Sequence, residues 1–347
     1  MLKKLSLAIA VLMLTTSVAL AWSGQEIWKS SIEYSITTDI VFNDGVIYAG
    51  DEHGNVHALN ADNGNKLWTE TIDGTVVGKP VIIEDKVICA GRNGVIAAFN
   101  KKNGNVIWKH HPSRQDGSAT FSDGPAGGSG KVYIGGGSAI VYALSASNGE
   151  LSWTWKASIA LLTAPAYASG IVYVGDQNAL FSALDANTGN KLWGGGAGAA
   201  LNTPTIDSKN EYAYFSSEDG SITSVNIKEK TAIWQVFVGD AITTAPEIRN
   251  DKIFVGTAIG NIIALSKDNG GVLWNAKIGG GYVNARPVAT DGLIFAGSGD
   301  GTLYAIETNN GQIRWSLNLG QEINGAACFN NGILYAGSSA GEIIAFR

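Results

Sequence analysis

Eight of the ten tryptophans in this 347-residue chain fall on one ruler. Trp28, Trp68, Trp108, Trp153, Trp193, Trp234, Trp274 and Trp315 are separated by 40, 40, 45, 40, 41, 40 and 41 residues, and only Trp22 and Trp155 lie off it. A fixed period of this length marks one supersecondary unit used over and over. Each copy is too small to bury its own apolar face and depends on its neighbours for a core. Length alone would permit roughly one to three domains; the ruler reduces the choice to one repeat array.

Each unit ends in the same eleven-residue phrase. It runs from Ala58 to Trp68 with Gly64, and returns as Ala98 to Trp108, Ala143 to Trp153, Ala183 to Trp193, Ala264 to Trp274 and Ala305 to Trp315. The polar cluster before each glycine is turn chemistry, because Asn and Asp bond their own backbone and glycine accepts positive φ. The phrase therefore reads as strand, turn, strand, with the tryptophan on the second strand. The copy from Ser224 to Trp234 is degenerate and carries Lys230 where glycine belongs. A second column, Tyr48, Tyr133, Tyr173, Tyr214, Phe254, Phe295 and Tyr335, marks an earlier strand, broken only by Cys89. That strand closes in tight turns such as Asn93-Gly94 and Asp300-Gly301. A further short strand before it is often opened by proline, at Pro80, Pro125, Pro165, Pro204, Pro246 and Pro287. Four short strands per unit of about 40 residues, without helical periodicity, predict an all-β, eight-bladed β-propeller with four-stranded blades.

The chain ends show how the ring closes. The last unit stops at Ala345-Phe346-Arg347, the opening of the phrase, and Gly24 to Trp28 supply its close. The ring is expected to be closed by an N-terminal strand that completes the last blade, which leaves only short protected edges.

Residues 1–21 read as a signal peptide. Lys3 and Lys4 precede an apolar stretch from Leu5 to Leu20, and Ala19-Leu20-Ala21 fits a small-x-small cleavage site. Residues 22–347 are then a single propeller domain, exported to the periplasm or secreted, with no transmembrane segment after cleavage. Loss of Lys3 and Lys4 takes the formal net charge from −6 to −8. A mildly acidic surface without Lys/Arg runs argues against nucleic-acid partners. Cys89 and Cys328 fall at different points of different repeats, so free thiols are expected and not a disulfide framework.

These residues resemble the quinoprotein-type (PQQ-like) propeller repeat, whose tryptophan-docking phrase is Ala-x-Asp-x-x-x-Gly-x-x-x-Trp. The likeness covers the whole mature chain. One branch of that family comprises quinone-dependent dehydrogenases, whose resemblance would imply a calcium site, an acidic base, long inserted loops and often an adjacent cysteine pair. This chain has no Cys-Cys pair and little length beyond eight bare blades. The other branch comprises BamB-type exported propellers that bind proteins and assist outer-membrane β-barrel assembly. The chain resembles these in size, blade count and closure but lacks the lipidation cysteine. The resemblance therefore implies a non-catalytic protein-binding scaffold of the cell envelope, expected to be monomeric and to need no cofactor. A quinone- or small-ligand-binding redox propeller is the alternative.

Two groups of residues are candidates for contact. The single long spacing places a loop at Lys109 to Ser118, which carries His110, His111, Arg114 and Asp116. His53 lies in the first blade's turn beside Asp51 and Glu52 and is expected to face the same side. Histidine with carboxylate can hold a transition metal, but adjacent histidines rarely face one ion, so partner contact or a solvated loop is expected. The residue before each proline opens the innermost strand and rings the channel mouth; there Asp39, Lys79 and Arg286 could receive an acidic group or pair with one another to cap the channel. No Ser/His/Asp arrangement, phosphate loop or calcium loop is apparent in the sequence. The docking tryptophans are expected to pack between blades, with Trp193→Ala costing roughly 3–5 kcal/mol as a large buried truncation.

Overall fold

The computed structural model describes residues 23–112, 119–161, 163–198, 200–207, 209, 212–323 and 325–347. They form eight four-stranded antiparallel sheets, seven of them sequential meanders, and no helix. Blade 1 consists of β2 (Val41–Asn43), β3 (Val46–Gly50), β4 (Asn55–Asn60) and β5 (Lys66–Thr71), from the axis outward. Blades 2 to 7 repeat this order, ending on outer strands that carry Trp108, Trp153, Trp193, Trp234, Trp274 and Trp315. We refer to the four positions as strands A to D. The turns A–B and C–D share one face of the ring, the turn face. The B–C turns and the D–A connections share the other, the loop face.

Blade 8 is composite. Its strands A to C come from the C-terminus, and β1 (Glu26–Ser31) pairs antiparallel with β32 (Glu342–Phe346) as strand D. Gln25 and Arg347 exchange backbone hydrogen bonds of 3.0 and 2.9 Å at the junction. The closure expected from the sequence is thus present.

The phrase works as a plug between blades. In each C–D pair the register slips by one residue just before the tryptophan, as at Ala58/Leu59 opposite Lys66 and Trp68. The extra residue of this β-bulge turns outward, which is why Leu67 is 50% exposed while its neighbour Trp68 is buried, and why Leu192 is 46% exposed. The tryptophan lies on the glycine of the next blade's phrase: a Cβ at Gly64, Gly104, Gly149, Gly189, Gly270 or Gly311 would sit 2.5–2.9 Å from ring carbons of Trp28, Trp68, Trp108, Trp153, Trp234 or Trp274. These glycines have φ of 72–79°, so the position needs both an absent side chain and a left-handed backbone. Each of these six indoles also donates Nε1–H to a phrase carbonyl of that blade, at 2.9–3.2 Å. The aromatic column shares the arrangement: Tyr48 and Trp68 both donate to Lys101 O, and Tyr133 and Trp153 both donate to Ala186 O.

The degenerate copy breaks the pattern. Lys230 keeps positive φ, 59°, but its Cβ cannot lie under an indole. Trp193 is tilted edge-on to Tyr173 at 74°, against 33–47° for the corresponding pairs elsewhere, and packs on Phe181. Trp193 Nε1 and Tyr173 Oη are buried and find no acceptor among the described residues. The expectation that Trp193 is a fully docked tryptophan is therefore corrected: the seam between blades 4 and 5 lacks the plug.

In chemical denaturation, Trp153→Ala is expected to cost roughly 3–5 kcal/mol, the usual range for a buried Trp truncation, and Trp193→Ala clearly less, about 1–2 kcal/mol on the area it still buries. Equal losses at the two positions would contradict an undocked Trp193.

Candidate functional site

The loop face carries the first group of candidate residues. Strand D of blade 2 ends at His110, and burial lowers this imidazole below its ordinary value of 6.5, so it is neutral at pH 7. His111 is exposed, with Nε2 3.8 Å from Asp73 Oδ2 in the preceding D–A connection. Arg114 and Asp116 lie outside the described residues. His53 stacks on Tyr34 with ring centroids 3.7 Å apart and Nδ1 4.0 Å from Glu52. The face is common, as expected, but His53 and His111 turn to different neighbours. Among the described residues no group of three or more His, Cys, Asp or Glu is placed to hold a metal ion.

Asp51, beside His53 in sequence, points inward. Its carboxylate accepts from His53 N and Asn55 N (2.9 and 2.8 Å), from Asn55 Nδ2 (2.8 Å) and pairs with His57 Nε2 at 3.0 Å. The other ring nitrogen of His57 lies 3.0 Å from Thr69 Oγ1. A hydroxyl–imidazole–carboxylate chain thus exists although nothing in the sequence suggested one. Asp51 is fully buried and His57 nearly so. With two turn amides on the same carboxylate, the chain caps the B–C turn and ties it to the outer strand. The available signal was turn chemistry, an Asp opening Asp-Glu-His-Gly with an Asn four residues on, and not a catalytic spacing.

The axial channel holds the second group. Innermost strands approach backbone to backbone at its loop-face end: Thr38 bridges Gly78 in parallel, and a Cβ on Gly78, Gly124 or Gly325 would collide with a neighbouring blade's backbone. Asp39 Oδ1 accepts Ala326 N–H from blade 8 at 2.8 Å. Burial raises its carboxyl above the ordinary 3.8 and the Asp123 carboxylate adds to this, while the Ala326 N–H, Lys79 and Arg286 pull the other way. Asp123, not singled out from the sequence, reaches from blade 3 to Ala164 N (2.9 Å) in blade 4 and Thr203 Oγ1 (2.8 Å) in blade 5. Arg286 pairs with Glu247, Nε and Nη2 lying 2.9 and 2.7 Å from Oε2. Lys79 is exposed and has no ion pair among the described residues. The expected mutual pairing of Asp39, Lys79 and Arg286 is therefore corrected: Glu247, one strand away, is the nearer acceptor for Arg286. All three nevertheless line one cavity of about 520 Å³, which extends along the innermost strands to Asp291 and Asn331 on the turn face.

The cysteines are not paired. Cys89 is buried and Cys328 half-buried, and burial pushes both thiols up.

The fold can be set beside known proteins. A family model described as outer membrane protein assembly factor BamB matches residues 16–154, 92–197 and 154–347. Among solved structures, BamB from Moraxella catarrhalis superposes with a TM-score of 0.81 at 18% identity, covering 94% of this chain and 100% of that one. The computationally designed Ika8 protein gives 0.80 at 16% identity, covering 93% and 99%. The quinohemoprotein alcohol dehydrogenase ADHIIG from Pseudomonas putida HK5 gives 0.77 at 13% identity, covering 93% and 76%. At these identities each likeness shows the fold. No curated protein sequence matches the chain.

Asp51 supplies a test of the turn cap. Burial alone would raise its carboxyl, but the bonds from His57 and Asn55 outweigh it and hold it below 3.8. A depressed carboxylate stabilises the fold above its unfolded value and loses that contribution as pH falls through the folded one. Asp51→Asn is expected to lower stability by about 1–3 kcal/mol near neutrality and to shrink the loss seen below pH 4. Urea midpoints measured from pH 2 to 7 check this; parallel acid limbs in the two proteins would contradict it.

Proposed function

For a chain that belongs to the family of the outer membrane protein assembly factor BamB, we propose a non-catalytic role: an exported scaffold of the cell envelope that holds a protein partner on its loop face, in service of outer-membrane protein assembly. The observation that carries this reading is the family match, which spans all eight blades. The division of the ring supports it. The turn face repeats its Asn/Asp-Gly phrases to plug the blades together, so its residues are committed to docking. The loop face carries side chains that differ from blade to blade, as a surface shaped for one partner would. Export follows from the reading of residues 1–21 as a signal peptide.

Photo-cross-linkers placed in cells at Tyr34, His53 and His111 on the loop face, with Asn63 and Asn187 on the turn face as controls, test this. Adducts to a specific envelope protein are expected from the loop face only. No adduct above the turn-face background would overturn the reading.

One observation favours a second reading, a ligand in the axial cavity: Lys79 and Asp39 stand at one end of that cavity with an ammonium and a carboxyl oxygen that make no ion pair among the described residues. Calorimetric titration with pyrroloquinoline quinone and Ca²⁺ addresses it. Binding that is lost in Lys79→Ala and Arg286→Ala would favour a ligand propeller. A loop-face scaffold should show no such binding and should keep its cross-links in both variants.

A further inference from the structure

Three apolar side chains project from consecutive sectors of the loop face: Phe237 is 68% exposed, Ile259 55% and Tyr282 40%. They form one continuous arc over blades 5 to 7. The Phe237 ring lies on Gly220, in the B–C turn that also carries Glu218 and Asp219. Asp240 follows Phe237 in the D–A connection, and its Oδ2 accepts Ile259 N–H at 3.3 Å. The Ile259-Gly260 turn abuts Gly281, next to Tyr282. The Tyr282 ring covers Gly299, and its hydroxyl donates to Glu322 Oε1 at 2.7 Å. Asp300 closes the same turn and accepts Gly280 N–H at 3.3 Å.

The arc therefore alternates apolar groups with carboxylates. Glu218, Asp219 and Asp300 are exposed, and Asp240 and Glu322 half-exposed. Lys277 shares the sector, and its ammonium is committed to the Ile259 carbonyl. Burial pushes the Asp219 and Asp300 carboxyls up, but hydrogen bonds from Ser221 and from Thr302, side chain and turn amide alike, outweigh it and hold both below their ordinary value, so they stay charged. Apolar anchors ringed by charge of one sign call for a partner with apolar side chains and the opposite sign.

We propose that this arc receives a cationic amphipathic segment of the partner protein, a stretch in which Lys or Arg alternates with apolar residues. The proposal rests on the loop-face scaffold reading and adds the sector and the chemistry. The apolar residues of the segment sit against Phe237, Ile259 and Tyr282, and its cations meet Asp219, Asp240, Asp300 and Glu322.

The test is fluorescence anisotropy of the mature protein with a short labelled peptide alternating lysine and leucine, against its glutamate–leucine counterpart. The lysine peptide is expected to bind, more weakly as salt rises, and the glutamate peptide to stay free. Phe237→Ser with Ile259→Ser, and separately Asp240→Lys with Glu322→Lys, should each weaken binding about tenfold or more, while far-ultraviolet circular dichroism shows both variants folded, since none of the four side chains is buried. Equal affinity for the two peptides, or no loss in either variant, overturns the proposal. If the lysine peptide fails while cross-links still form from the loop face, the scaffold reading stands and the charge chemistry is wrong. If sedimentation shows the protein pairing with itself through Phe237, a second copy occupies the arc and the proposal falls.

Discussion

Everything in this ring depends on an indole lying flat against a glycine that belongs to the next blade. Burying a tryptophan this way is worth about 2–3 kcal/mol, and its Nε1–H adds about 1 kcal/mol by meeting a carbonyl that would otherwise be a buried orphan. The contact has a direction: each blade offers its tryptophan forward and its glycine backward. Order therefore propagates around the circle, and the circle has to close. The split last blade follows from this directionality, since a strand drawn from the far end of the chain fixes the final interface with backbone hydrogen bonds as well as with Trp28 on Gly64.

Because docking is repetitive, it was legible. Eight tryptophans, their glycines and the aromatic column at Tyr48 to Tyr335 specify strand order, blade count and closure from spacing alone, and even the flaw at Lys230 is visible as a missing glycine. What that flaw does to Trp193 and Tyr173 is a matter of geometry that no spacing reports. The candidate site is the opposite case. Asp123 escaped because it sits one residue off the register that singles out Asp39, Lys79 and Arg286, and its role appears only when the channel brings blade 5 within reach of blade 3. Arg286 was matched with the wrong acid because Glu247 belongs to a different repeat. His57 escaped because its partners, Asp51 and Thr69, meet it across three strands.

The two faces divide the work, and the division has a physical origin. Turn-face residues are held to the phrase by the docking contact and by inter-blade ties such as Lys101 to Asp44 at 2.7 Å and Lys267 to Asp207 at 2.6 Å. Outer strands carry a bulge in every blade, which turns apolar residues such as Leu67 and Leu192 outward and interrupts what would be a flat edge open to strand addition. The loop face answers to neither constraint. Its B–C turns need only a cap, supplied by Asp51 in blade 1, Asp176 in blade 4 and Ser or Thr in others, so the remaining positions are free to vary.

That freedom is used unevenly, and its placement bears on the weak seam. Blade 5 is the blade whose phrase fails to receive Trp193, and it is also the blade where the acidic, apolar arc begins with Phe237. The arc runs from there over blades 6 and 7, across interfaces where Trp234 and Trp274 are fully docked on Gly270 and Gly311. A segment lying along it would press on rigid neighbours and leave the 4–5 seam outside its footprint. The cost of ordering a surface on binding is lowest where packing has already ordered it, and the docked half of the ring offers that condition. The undocked seam leaves Trp193 Nε1 and Tyr173 Oη without an acceptor among the described residues, a local weakness that the closed circle tolerates because the interfaces on either side of it hold.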